Sequence, residues 1–434
     1  MIEIINIFYL LLVSIIIFSF PFNNVYLRKK FFLIKLNLFE IYSINILSIL
    51  TFFLIFSFFE IEIYLIFLAL LFVSLINFFY IDWKFFFKSP YLLIFFCLFF
   101  VVFSTEVSTY PYLEWDAAVN WIFKTLNFKN NYSFQNLENV PGYVGYPHLG
   151  PYLWAFFWEI SFVNQEYTGR LSFIFVYLMI FFSLIERLKI NDISKIIVLI
   201  FFIIISYDRI LINGYQEPLM FSLCVIFMIL IEKIDSSKIN FFNYLFLIIC
   251  ANLILWIKNE GMFFLMFLSF FIFSKKQIDK KNKLFLISFF IFLIFIKKYI
   301  FITFFGNITF GWVGYIFLPF ADLFSLEIIQ RLPFLIFQIL MNFAKYPIYI
   351  VFILCLLHTL FKERIIKSSL DFLLFFLINL SLSASIFYFV NDPNWMHHAK
   401  VGLDRMMYQT SGVYLIYILR YFEKIIPKKS FKFF

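Results

Sequence analysis

The chain reads as an all-α, polytopic integral membrane protein with about thirteen membrane-spanning helices and a long outer loop that carries interfacial helices. Three observations lead there. Hydrophobic residues make up 64% of the 434 and charged residues only 14%, where soluble domains sit near ~45–50% and ~25%. Mean hydropathy is +0.94, more apolar surface than a water-soluble fold can hide. The basic residues, finally, gather in alternate gaps between apolar runs, which is how a multi-pass protein orients itself.

Taken in order, the runs long enough to approach the ~17–25 residues of a membrane helix are 4–20, 43–59, 62–80 and 90–105, then 169–186, 194–212, 217–232, 240–257, 260–274, 283–305, 344–361, 370–390 and 408–424. The first four form an N-terminal membrane segment, 1–105. Residues 106–168 form the outer loop, and 169–434 hold the remaining spans and outer loops of the same membrane domain. The N-terminus lacks a basic region and a small-residue cleavage site, so it reads as a retained helix and not a signal peptide.

Loop charge tests this count. Arg28, Lys29, Lys30 and Lys35 follow the first run; Lys84 and Lys88 the third; Arg187, Lys189 and Lys195 the fifth; Lys233 and Lys238 the seventh. Lys275, Lys276, Lys280, Lys281 and Lys283 follow the ninth, Lys362, Arg364 and Lys367 the eleventh, and Lys424, Lys428, Lys429 and Lys432 the last. Thirteen spans put all of these on one face, the cytoplasmic one, with the N-terminus outside. The count requires that the short run 150–164, which contains Glu159, lie on the outer face without crossing. The net charge of +9 is thereby explained by topology, and nucleic acid is not an expected partner. Cys97, Cys224, Cys250 and Cys355 all lie in apolar runs without metal or redox spacing and read as packing residues. The Phe and Ile richness, with 73 Phe, reflects composition bias more than binding.

The polar residues that remain collect in the outer segments 106–168, 207–217, 258–260, 306–343 and 391–407. Thr109–Pro151 is the densest. Asp116 sits in it before a mixed stretch, Ala117 to Phe128, that suits a surface helix, so it is either that helix's N-cap or a catalytic carboxylate. Pro141–Pro151 has three prolines and three glycines in a chain poor in both, a loop of fixed shape. Its His148 is either a polar loop residue or a proton carrier or metal ligand. Glu217 precedes Pro218 and a span, as a solvated helix end or a costly, functional acid. Lys258 and Glu260 interrupt two apolar runs; they either pair with each other or offer Lys258 as a point charge for phosphate. Arg405 has the planar fork that clamps phosphate. The adjacent His397 and His398 lack the spacing of helical metal ligands.

In their order along the chain these positions resemble the GT-C glycosyltransferases, membrane enzymes that use polyprenyl-phosphate sugars on the non-cytoplasmic face. The likeness is to the bacterial relatives of the protein mannosyltransferase and aminoarabinose transferase families. It is carried by Trp115-Asp116-Ala117 with Asn120, Trp121 and Lys124; by Tyr146-Pro147-His148-Leu149; by Tyr215-Gln216-Glu217-Pro218-Leu219; by Lys258 to Gly261; and by Asp404-Arg405. It covers roughly 105–261 and 395–425. More spans precede the loop than in much of the family, Glu217 stands where many relatives have Asp, and 306–343 matches no motif.

The resemblance implies an inverting transfer on the periplasmic side of a bacterial inner membrane. Asp116 would be the general base and Glu217 a second acid, with no cofactor required but a divalent cation (Mg or Mn) permitted at Asp116, Glu217 and His148. Trp115, Trp121, Lys124, Tyr146, His148, Arg170, Lys258, Glu260 and Arg405 would bind substrate. The partners implied are a polyprenyl-phosphate sugar donor, a lipid, glycan or protein acceptor, and membrane lipid. The competing readings are a transporter or flippase of lipid-linked saccharides, which should show repeats and mid-membrane polar sites, and a ligase or polymerase of lipid-linked glycans, which shares much of the chemistry.

Overall fold

The computed structural model describes residues 2–31, 36–236, 241–276, 278–306, 325–362 and 368–425. It is helical throughout; among the described residues there is no strand, and Asn24 and Ile81 form an isolated bridge. The N-terminal helices are α1 (Ile2–Ile17), α2 (Val25–Phe31), α3 (Leu38–Phe56), α4 (Ile63–Phe78), α5 (Trp83–Phe86) and α6 (Pro90–Thr109). The segment 106–168 holds α7 (Ile122–Lys129) and α8 (Leu149–Glu159). Then follow α9 (Tyr167–Glu186), α10 (Asp192–Ser206), α11 (Glu217–Ser236), α12 (Phe241–Ile257), α13 (Gly261–Ser274) and α14 (Lys280–Phe305). The C-terminal part is α15 (Leu326–Ile329), α16 (Arg331–Lys345), α17 (Pro347–Phe361), α18 (Ser369–Phe389) and α19 (Trp395–Ile425).

Every one of the thirteen apolar runs is helical. Five helices are each long and apolar enough to cross a membrane alone: α3, α6, α9, α14 and α18. The pair of helices 327–345 and 347–361 would make a sixth, but it is bent by 92°. The bend has a local cause. Pro347 has no amide hydrogen to continue the helix, and Tyr346 before it sits at φ −111°, ψ 89°, outside the helical region. Basic residues Lys35, Lys238, Arg364, Lys367, Lys428, Lys429 and Lys432 lie outside the described residues, as do residues 307–324 of the unmatched segment 306–343.

Helix starts follow the sequence. Asn37 accepts from the Glu40 amide while the Glu40 side chain accepts from the Asn37 amide, a reciprocal cap that starts α3. Asn191 and Asp279 cap α10 and α14 the same way on one side. Pro90 opens α6, where its missing N–H costs nothing.

The core is built around α9, whose side chains are buried from Tyr167 to Ile185. It packs against α3, α6, α8 and α11. A helix apolar all round is one surrounded by others. α8 has 11 residues, about 16 Å, roughly half the hydrocarbon thickness. It lies antiparallel to α9 at very close range, because a Cβ at Gly169 would stand 2.3 Å from the Trp154 carbonyl oxygen.

Helices α11 and α19 run parallel and are tied at both ends. Glu217 pairs with Arg405 at one end and Glu232 with Arg420 at the other. Both partners are fifteen residues further on, so the two ties are about 22 Å apart along the helices. The Glu232 end carries a second, wider ion network: Arg187 pairs with Glu40 and Glu232, and Lys233 with Glu40. The Glu217 end carries the residues described next.

Candidate active site

The loop 106–168 is fixed to the helices by buried cations whose donors are spent on backbone carbonyls. Arg170 on α9 donates to the carbonyls of Tyr112 (3.1 Å) and Ile212, and pairs with Glu166 at 2.8 Å. It thus staples the strap Tyr110–Asp116 to the segment 207–217. Glu114 N–H completes the seam by donating to the Asn213 carbonyl at 3.1 Å. Gly214 makes the approach possible. Its φ is +87°, and a Cβ there would lie 2.9 Å from Leu113 Cδ2 and 3.0 Å from the Ala117 methyl.

The turn-rich stretch 141–151 is held in the same manner. Lys124 is buried and donates to the carbonyls of Val144 (3.3 Å) and Tyr146. Burial, with Lys297 nearby, lowers its ammonium to about 7. Asn120 accepts from the Tyr143 amide, and the Trp121 ring packs on Tyr146 at 5.3 Å. His148 is fully buried among Phe58, Phe128, Phe134 and Trp256, with Nε2 2.6 Å from the Ser57 hydroxyl. Burial first, then Lys124 and Lys297, hold its pKa well below the usual imidazole range, so it is neutral. Trp121, Lys124, His148 and Arg170, expected to touch substrate, are thus placed where they shape the loop.

Asp116 makes no cap hydrogen bond, although it immediately precedes the π-helical turn Ala117–Trp121. Its carboxylate instead forms an ion pair with Arg405 of α19. Arg405 Nε also lies 3.1 Å from Glu217 Oε1, at the start of α11. The same oxygen accepts from Lys258 Nζ at 2.7 Å, and Lys258 lies 3.6 Å from Glu260. A chain Asp116–Arg405–Glu217–Lys258–Glu260 therefore joins four stretches that are up to 289 residues apart in sequence. Glu217 is buried completely, and its Oε2, like Glu260 Oε2, has no hydrogen-bond partner among the described residues. A buried carboxylate oxygen without a partner is costly and is ready for a donor from a ligand. The Arg405 guanidinium also lies over the Tyr215 ring at 4.9 Å, and burial raises the Tyr215 phenol to about 12.

Beside this chain an open cleft of about 380 Å³ is lined by Glu114, Asp208, Tyr215, Lys345, Asp404 and Arg405 among others. Asp404 accepts from the Tyr346 hydroxyl (2.6 Å) and Lys345 (2.7 Å), and Lys345 reaches Asp208 at 3.5 Å. Burial raises the Asp208 carboxyl above its usual range. Lys345 carries no motif and was not among the expected site residues. It ends α16, whose apolar positions Leu332, Leu335, Ile336, Ile339 and Phe343 have helical spacing, the signal that would have found it.

Asp116, Glu217 and His148 do not form a donor set for a metal. His148 is enclosed by aromatic rings, and Arg405 pairs with both carboxylates. No group of three metal-ligating side chains occurs among the described residues. Comparison with protein-family models, with curated proteins and with solved structures gives no match.

Proposed function

We propose that this chain is a membrane glycosyltransferase of the GT-C type, moving a sugar from a polyprenyl phosphate to an acceptor hydroxyl with inversion. Its thirteen crossings would put the Asp116 end on the outer, periplasmic face of a bacterial plasma membrane. The observation that carries the reading is the ion chain itself. Asp116, Glu217, Lys258 and Arg405 come from four separate sequence elements that the resemblance marks, and they meet beside an open cleft.

In this reading Asp116 takes the proton of the acceptor hydroxyl as its oxygen attacks the anomeric carbon. The bond from that carbon to the phosphate oxygen breaks, and polyprenyl phosphate leaves with the electron pair. Arg405 and Lys258 compensate the charge on the leaving phosphate. Donor phosphate competes with Asp116 for Arg405, so donor binding frees the carboxylate to act as base. Glu217, with one oxygen on Lys258 and one unpartnered, orients the acceptor.

The test is reconstitution in liposomes with a panel of hexosyl and pentosyl polyprenyl phosphates. Formation of a glycosylated acceptor with release of polyprenyl phosphate supports the reading. Movement of a labelled lipid-linked saccharide across the bilayer without transfer would replace it with transport.

A further inference from the structure

Helix α16 lies in a segment that matches no motif, and between Arg331 and Lys345 it holds no charged residue. Leu332, Ile336, Phe337, Leu340 and Met341 form a row along one side, each 44% to 58% exposed. The opposite side is packed. Phe334 meets Trp395 at 5.4 Å, Asn342 donates to Met407 Sδ at 3.5 Å, and Phe343 stacks on Tyr349 at 5.3 Å. Both ends are tied. Arg331 donates to the carbonyls of Tyr388 (3.2 Å) and Val390 (2.6 Å), where α18 ends. Lys345 pairs with Asp404 (2.7 Å) and Asp208 (3.5 Å) in the wall of the cleft. The row is therefore a fixed surface.

The next helix sets its depth. α17 has 15 residues and rises about 22 Å. Lys362 at its far end is exposed and marks a water boundary. Against ~30 Å of hydrocarbon, α17 stops about 8 Å short of the opposite surface. There the chain turns by 92° into α16. A helix lying in a bilayer surface buries its apolar side about 5–10 Å deep, which is the same level. The exposed row offers a protein partner no hydrogen-bonding group beyond a thioether. Ile350, Leu354 and Leu357 give α17 the same kind of surface.

We infer that α16 lies in the plane of the bilayer, its exposed row seated in the lipid acyl chains and its Lys345 end forming the sill of the cleft. The cleft then opens at headgroup level, and its ligand is met at the membrane surface. This goes beyond the glycosyltransferase reading and does not depend on it.

The test uses the wild-type chain in liposomes and needs no donor. Three methionines supply an internal scale, because Met266 on α13, Met341 on α16 and Met396 beside His397 are 53%, 52% and 53% exposed. Met266, on an apolar helix, reports lipid, and Met396, in a polar stretch, reports water. Hydroxyl radicals are pulsed in the water phase, and oxidation is read by peptide mass spectrometry. A second sample contains phosphatidylcholine with a photoactivated diazirine in its acyl chain. Met341 should oxidise as slowly as Met266, about tenfold more slowly than Met396, and the lipid carbene should insert into peptide 331–345. Oxidation of Met341 as fast as Met396 would put α16 in water and overturn the inference. Protection without carbene insertion would overturn it too, since another protein surface, such as a second copy of the chain, would then cover the row.

Discussion

Glu217→Gln removes one charge from the centre of the ion chain and nothing else. The Glu217 carboxylate is completely buried, 2.7 Å from Lys258 and 3.1 Å from Arg405. At an effective dielectric near ~20 these contacts are worth about 6 and about 5 kcal/mol before desolvation. Removing the carboxylate's charge leaves two cations facing a neutral amide, and breaking a buried pair in this way costs about 3–5 kcal/mol net. The assay is reversible unfolding in mixed micelles, followed by circular dichroism. Lys258→Met alone should be similarly damaging, whereas the double variant should lose clearly less than the sum, because each single change strands the other's charge. A loss under about 1 kcal/mol for Glu217→Gln, or strict additivity in the double variant, would refute the buried coupling.

Other outcomes follow from the same geometry. His148 has a depressed pKa when folded, so the unfolded chain binds the extra proton, and stability falls as pH drops below about 6.5. The loss should approach about 1.4 kcal/mol per pH unit, and His148→Gln should flatten that slope in pH-dependent unfolding. Gly214→Ala places a methyl group on a φ of +87° against Leu113 and Ala117, and should cost about 1–3 kcal/mol in the same assay. Because Arg405 pairs with both Asp116 and Glu217, transfer should persist in excess chelator; loss of transfer that Mg or Mn alone restores would contradict that assignment.

Much of the helical scaffold was legible because a run of Phe, Ile and Leu can be satisfied only by burial or lipid, and its backbone only by helix. Each apolar run from 4–20 to 408–424 became helical for that reason. What length alone missed was geometry. The run 344–361 was expected as one span, but Pro347 turns the chain by 92° after α16, a helix within a segment expected as loop. α19 begins at Trp395, thirteen residues before its apolar run, so Asp404 and Arg405 ride on a helix instead of a loop.

For the site, the positions of Asp116, Glu217, Lys258, Glu260 and Arg405 were readable as isolated charges near helix ends, where charge is expensive without a partner. The pairing between them was not, since it depends on which helices are neighbours. Arg170 and Lys124 show the converse problem. A cation reads the same in sequence whether its donors go to a phosphate or to the carbonyls of Tyr112 and Tyr146. Of the two readings of Asp116, the structure bears on the cap alone: its side chain pairs with Arg405 and makes no hydrogen bond to the amides of its own helix.

The central claim, that Asp116 is the base of a sugar transfer, is tested most directly by Asp116→Asn in liposomes supplied with a polyprenyl-phosphate sugar that the wild type uses. The account predicts a fall in kcat of about 10²–10⁴-fold, with the protein still folded and donor still bound. Transfer by Asp116→Asn at the wild-type rate would contradict it.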